Sequence, residues 1–354
     1  MTTKFIAAGL VALFVSSVVL LACGSTPQDR NLPLPGDPKN YAPLDKYEPM
    51  KIPADNAITQ DKANLGWQLW FDKRLSGDGS RSCYGCHVNE KGLTDGLAKN
   101  TSAADNKTPL ARHTPTLWNI GYHAEWYWDG RAKTLEGQAL AAWKLANMGG
   151  KDKEKDEIRA DIIASVNKAY GEQFQKVFGG PATEKTVVQA LTTFMRTIIS
   201  KDTAFDRWQK GDEKAVSDAA KRGWAAFQKA KCTNCHVGFL LTNLQFHNVG
   251  IGLKDGKPED PGRFTVSKVE KDTGAFKTPT LRDVARSAPY FHDGSVATLE
   301  EAVKFMVAGG KDNPFLDKVN LQKADLTNAE VADLIEFLKS LSENARIPEP
   351  KLPQ

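Results

Sequence analysis

Two pentapeptides constrain this chain more than any other feature: Cys83-Tyr84-Gly85-Cys86-His87 and Cys232-Thr233-Asn234-Cys235-His236. Two thiols three positions apart can add to the two vinyl groups of one porphyrin, and the His that follows is placed to reach the iron. Each pentapeptide therefore reads as a c-type haem attachment site. A chain that carries two such groups must fold around them. A zinc knuckle would need further Cys or His at short spacing, and a thioredoxin-like pair would need strand–helix alternation. Neither accompanies these motifs.

The N-terminus reads as an export signal, with Lys4 as the charged region and Phe5 to Leu21 as the apolar run. That run approaches membrane-spanning length. It ends, however, in Leu20-Leu21-Ala22-Cys23-Gly24, which resembles a bacterial lipobox with Cys23 as the lipidated residue. Residues 1–23 are thus expected to be a lipoprotein signal, with the body of the protein in the periplasm and a lipid holding it to a membrane. Of the five Cys, one then serves the lipid and four the haems, leaving none for a disulfide. Residues 24–55, rich in Pro, Asn and Asp, read as a flexible tether. A net charge of +4 over 354 residues gives no case for nucleic acid.

The haem motifs belong to a longer duplication. Thr114-Pro115-Thr116-Leu117 returns as Thr278-Pro279-Thr280-Leu281, and Thr134-Leu135-Glu136 as Thr298-Leu299-Glu300. Between them, Tyr127-Trp128-Asp129-Gly130 returns within Tyr290-Phe291-His292-Asp293-Gly294, with Trp128 matching His292. All these pairs share one offset. Helical periodicity supports the pairing: Leu65, Leu69 and Trp70 precede the first motif, and Trp224 and Phe227 the second. Further helices carry Ile158, Ile162, Val166 and Tyr170, then Leu191, Phe194 and Ile198. A last one opens with the capping box Thr327-x-x-Glu330 and buries Val331, Leu334, Leu338 and Leu341. The expected fold is all-α, with two tandem cytochrome c-like domains over 56–203 and 204–345 and a tail over 346–354.

The distal face of each iron decides its chemistry: a sixth protein ligand suits electron transfer, and an open face suits reaction with a small oxidant. His87 and His236 take the proximal faces. Met306 lies on a helix of the second repeat, and the matching position of the first repeat is Ala142, which cannot ligate. That asymmetry predicts one Met/His haem of raised potential and one haem without the thioether. Trp128 sits in an aromatic run, where a core anchor and a bridge between haems both fit.

With these residues assembled, the chain resembles the bacterial dihaem cytochrome c peroxidases, a family that includes the methylamine-utilisation protein MauG. The blocks that carry the resemblance begin with Phe71-Asp72-Lys73-Arg74-Leu75-Ser76-Gly77-Asp78-Gly79-Ser80 and Trp128-Asp129-Gly130-Arg131. They continue with Phe246-His247-Asn248-Val249-Gly250 and Ala288-Pro289-Tyr290-Phe291-His292-Asp293-Gly294. The resemblance implies two haem c groups, the first low-potential and peroxidatic, the second high-potential and ligated by Met306. It places Trp128 between them. It implies reduction of hydrogen peroxide with electrons from a small periplasmic donor, a cytochrome c or a cupredoxin, and leaves a homodimer open. It also implies a calcium ion held partly by the carbonyls of Ser287 and Pro289. At the third calcium position His113 stands where the family usually has Asn.

Two departures from the family pattern bear on the chemistry. The loop from Val88 to Arg112 lacks the distal His that many members carry. The usual Glu-Met-Gly segment reads Asn147-Met148-Gly149, and Asn can donate a hydrogen bond but cannot act as general acid or base. Asp152 and Glu125, close by in sequence, are candidate substitutes for that role. His113 is expected near the inter-domain seam, His123 in a loop or at the surface, and His247 and His292 around the second haem. Beside the peroxidase reading stand a MauG-like oxidation of a protein residue and a dihaem electron carrier in which Met148 or a His closes the first haem.

Overall fold

The Thr59 hydroxyl accepts from the Lys62 amide and opens α1 (Gln60–Phe71), which buries Leu65, Leu69 and Trp70. The same device opens α4 (Glu184–Met195) at Thr183, α6 (Asp218–Lys229) at Ser217, α8 (Leu299–Val307) at Thr298 and α9 (Asn328–Lys339) at Thr327. The computed structural model describes residues 50–103, 105–342 and 345–354. The expected signal, its Cys23 and most of the tether therefore lie outside the described residues. Among the described residues the remaining helices are α2 (Leu135–Lys144), α3 (Ala160–Phe178), α5 (Ala204–Gln209) and the short α7 (Phe264–Ser267). The strands are two-residue pairs, β1 (Phe246–His247) with β4 (Phe276–Lys277) and β2 (Leu253–Lys254) with β3 (Lys257–Pro258). No described helix is long and apolar enough to cross a membrane.

The duplication is visible in the backbone. Asn119 and Asp283 both adopt left-handed conformations, with φ of 59° and 61°, and Tyr127 and Phe291 do likewise at 66° and 69°. Isolated bridges pair Trp126 with Ala132 and Tyr290 with Val296. Each half is built on one helix crossing, α1 on α4 and α6 on α9. Glycines permit both: a Cβ on Gly66 would lie 2.0 Å from the Ala190 oxygen, and one on Gly223 would lie 1.9 Å from the Asp333 oxygen. At an exposed helical site Gly→Ala gains about 1 kcal/mol. Here the sign reverses. Gly66→Ala or Gly223→Ala should destabilise by roughly 1–3 kcal/mol through overpacking, read as a lower urea midpoint of the haem-loaded protein.

The described end of the expected tether is not free. Asn56 is fully buried and donates to Glu136, to the Gln189 carbonyl and to Thr192, while the Gln189 side chain donates to the Asp55 carbonyl. Met50 is buried too. The expected tail is likewise docked, on the first repeat. Asn89 exchanges two hydrogen bonds with the Ile347 backbone, and the Trp67 indole donates to the Pro348 carbonyl. Both segments are apolar or polar without period, so only their distant partners reveal them as structured.

Candidate functional site

Each Cys-x-x-Cys-His motif folds as one tight turn, Cys83–Gly85 and Cys232–Asn234, that puts its His next in line. His87 Nδ1 meets the Leu93 carbonyl at 2.9 Å, and His236 Nδ1 meets that of Leu241 at 3.1 Å. Both leucines sit at positive φ, 61° and 51°, which turns their carbonyls toward the rings. With Nδ1 donating, Nε2 is left as the lone pair for a metal. Burial pushes both imidazoles down, His236 to about 4, so they are neutral at pH 7. Burial also pushes the thiols up, Cys83 and Cys232 to about 12 and Cys86 and Cys235 to about 11.

The second motif opens into a cavity of about 220 Å³. Cys232, Cys235, His236 and Met306 all line it, among aliphatic walls that include Val303 and Leu338. Two thiols, a neutral imidazole and a thioether around an apolar space fit a covalently held porphyrin with N and S axial groups. His247 and His292 line the same cavity: His247 is paired to Asp317 at 2.6 Å, and His292 stacks on Phe276 at 3.6 Å. At the first motif, Cys83 packs on the core and the Trp70 ring lies 5.7 Å from that of His87. Met148 is also part of that core cluster.

Trp128 stands at the seam between the repeats. Its indole donates to the His113 carbonyl at 2.8 Å, and its own carbonyl accepts from the Lys277 amide at 2.8 Å. It lines both the large cavity and a second one of about 100 Å³, as does Lys277. The Lys277 ammonium donates to the Glu125 carbonyl at 2.7 Å and faces His123 Nδ1 at 3.3 Å, and burial lowers its pKa to about 7. His113 is buried, with Nδ1 on the Leu97 carbonyl and its amide donating to the His292 carbonyl. His123 lies in a loop, as expected, but its ring is enclosed and its Nε2 has no hydrogen-bond partner. Ser287 and Pro289 line the smaller cavity, which has no carboxylate among its lining residues.

The sequence model of the di-haem cytochrome c peroxidase family matches residues 60–214, and that of cytochrome c matches residues 220–342. The methylamine utilization protein MauG of Methylophilus methylotrophus is 36% identical over 329 residues, spanning 89% of this chain and 93% of that protein. The chain belongs to the di-haem cytochrome c peroxidase family. Cytochrome-c peroxidase IdrP1 of Denitromonas iodatirespirans is 36% identical, over 90% of this chain and 91% of that one. Among solved structures, a MauG-like protein associated with microbial copper homeostasis superposes with a TM-score of 0.78 at 32% identity, covering 87% of this chain and 97% of that chain. As a member of this family the protein is an oxidoreductase built from two tandem cytochrome c-like domains.

In this family member the two carboxylates singled out as substitutes near the Asn147 segment are engaged. Glu125 pairs with Lys133 and Arg263, and these cations outweigh its burial and hold its carboxyl below the usual range. Asp152 accepts from the amides of Glu154 and Lys155 in its own turn. Asn147 itself is half-buried in the turn after α2. Sequence reasoning missed Lys277, the carbonyls of Leu93 and Leu241, and the Trp70 contact.

Proposed function

We propose that the protein is a di-haem peroxidase that reduces hydrogen peroxide to water with electrons from a small donor. The second site takes up the electron and the first site meets peroxide. The observation that supports this is the asymmetry of the repeats: Met306 lines the second cavity beside His236, and Ala142 stands at the matching position of α2. When bound, haem iron supplies the redox chemistry, and the chain holds and tunes it.

The chain's own contributions follow from its geometry. Cys83 and Cys86, and Cys232 and Cys235, would carry the thioether links. His87 and His236 would bind iron through Nε2, each ring turned by its leucine carbonyl. Met306 would close the second iron and raise its potential. Trp128, fixed at its indole and its carbonyl, provides an aromatic step between the sites. Asn147 can orient peroxide by a hydrogen bond but holds no proton to move. Lipid attachment at Cys23 and a periplasmic location belong to this same proposal.

A second reading is favoured by the relatives named MauG and by the loop from Val88 to Arg112, which has no His. In it, oxidising equivalents are used on a protein residue rather than on a donor. One experiment separates the two. The ferric protein is examined by absorption and electron paramagnetic resonance, then given peroxide with a reduced cytochrome donor. A high-spin and a low-spin haem with rapid donor oxidation are expected. A long-lived oxidised state that ignores the donor would instead establish the second reading, and two low-spin haems inert to peroxide would defeat both.

A further inference from the structure

Trp70 is 3% exposed, with its ring 5.7 Å from that of His87 and 5.6 Å from that of Phe194. The second repeat builds the same crossing with a phenylalanine, not an indole, against its proximal His; its Trp224 stacks on the far side of that ring cluster, 5.6 Å from Phe227 and 5.2 Å from Phe337. There Gly223 of α6 meets the Asp333 carbonyl as Gly66 of α1 meets that of Ala190. Phe227 takes the place of Trp70, 5.1 Å from Phe337 and 6.5 Å from His236. Phenylalanine therefore suffices for the packing beside a proximal His. What the first repeat adds is an easily oxidised ring and an N–H group.

The indoles of Trp67, Trp118, Trp126, Trp128 and Trp143 each donate to an acceptor, at 2.7 to 3.2 Å. Trp70 Nε1, beside the haem site, finds no acceptor among the described residues.

We propose that Trp70 is an electron-storing residue of the first haem site, giving up one electron there when peroxide arrives without donor. This rests on the reading that the first site meets peroxide. Hydrogen peroxide takes two electrons and two protons to form two waters; one electron comes from the Trp70 indole and the other from the haem. No bond to Trp70 forms or breaks. The two protons come from solvent and none leaves the ring, so the oxidised side chain is a protonated indole radical. Its burial shields it from water until the donor returns the electron. Trp67, three residues earlier on α1, is a partly buried neighbour toward the surface.

The test uses the haem-loaded protein mixed with one equivalent of peroxide without donor and frozen. Electron paramagnetic resonance is recorded with and without ring-deuterated tryptophan. An organic radical that narrows on deuteration is expected, lost in Trp70→Phe, replaced by a tyrosyl signal in Trp70→Tyr and kept in Trp128→Phe. Haem content and the ferric spectrum should be unchanged in Trp70→Phe, since Phe is what the other repeat uses. If the haem absorption responds to peroxide but the radical is absent, or survives in Trp70→Phe, the inference is wrong. If the absorption of the wild-type protein does not respond at all, the peroxidatic reading falls and takes the inference with it.

Discussion

Exchanging Asn147 for Glu should raise the rate of peroxide consumption about a hundredfold, at the low end of what a positioned proton carrier contributes. On the proposed function the carboxamide would hold a peroxide oxygen but could not accept a proton from one oxygen and deliver it to the other. Glu125 and Asp152 do not stand in, because the first is held by two cations and the second by its own turn. The measurement is the second-order rate of the spectral change on mixing with peroxide, across pH. The gain should appear in that step and not in donor oxidation. An unchanged rate would mean that another group already moves the proton.

Arg282→Met should cost about 3–5 kcal/mol, the scale for removing one partner of a buried ion pair. Arg282 is fully buried and grips Asp206 at 2.5 and 2.9 Å, with its remaining donors on the Phe239 carbonyl. Burial alone would raise the Asp206 pKa, but the guanidinium outweighs it and the net shift is downward. A depressed carboxylate stabilises above its unfolded pKa of about 3.9 and loses that contribution as pH falls through the folded value. In Arg282→Met only the Thr203 amide and hydroxyl still oppose burial, so the folded pKa rises and the variant is penalised most near neutrality. The gap in urea midpoint between the two proteins should therefore narrow toward pH 4. A gap independent of pH would assign the loss to packing instead.

What the sequence disclosed was whatever repeats at short range. The haem motifs, the shared offset, the helix faces and the Thr327 cap are local patterns, and the structure returns them with matching left-handed residues at Asn119 and Asp283. The cavity that gathers His236 and Met306 was legible for the same reason, because the repeat singled out Met306. What stayed hidden depends on partners far along the chain. Asn56 is buried by groups 80 to 136 positions away, and Asn89 by Ile347, 258 positions away. Lys277 looked like an ordinary charged residue, yet the seam encloses its side chain. No periodicity announces such contacts.

The bonds across the seam also bear on motion. The His113 amide on the His292 carbonyl, the Lys277 amide on the Trp128 carbonyl, and Arg112 on Asp260 at 2.7 and 2.9 Å tie backbone and side chains of one repeat to the other. Sliding either half would have to break several of these together. On the proposed two-haem reading, the span an electron would tunnel across is held by the same bonds that hold the halves.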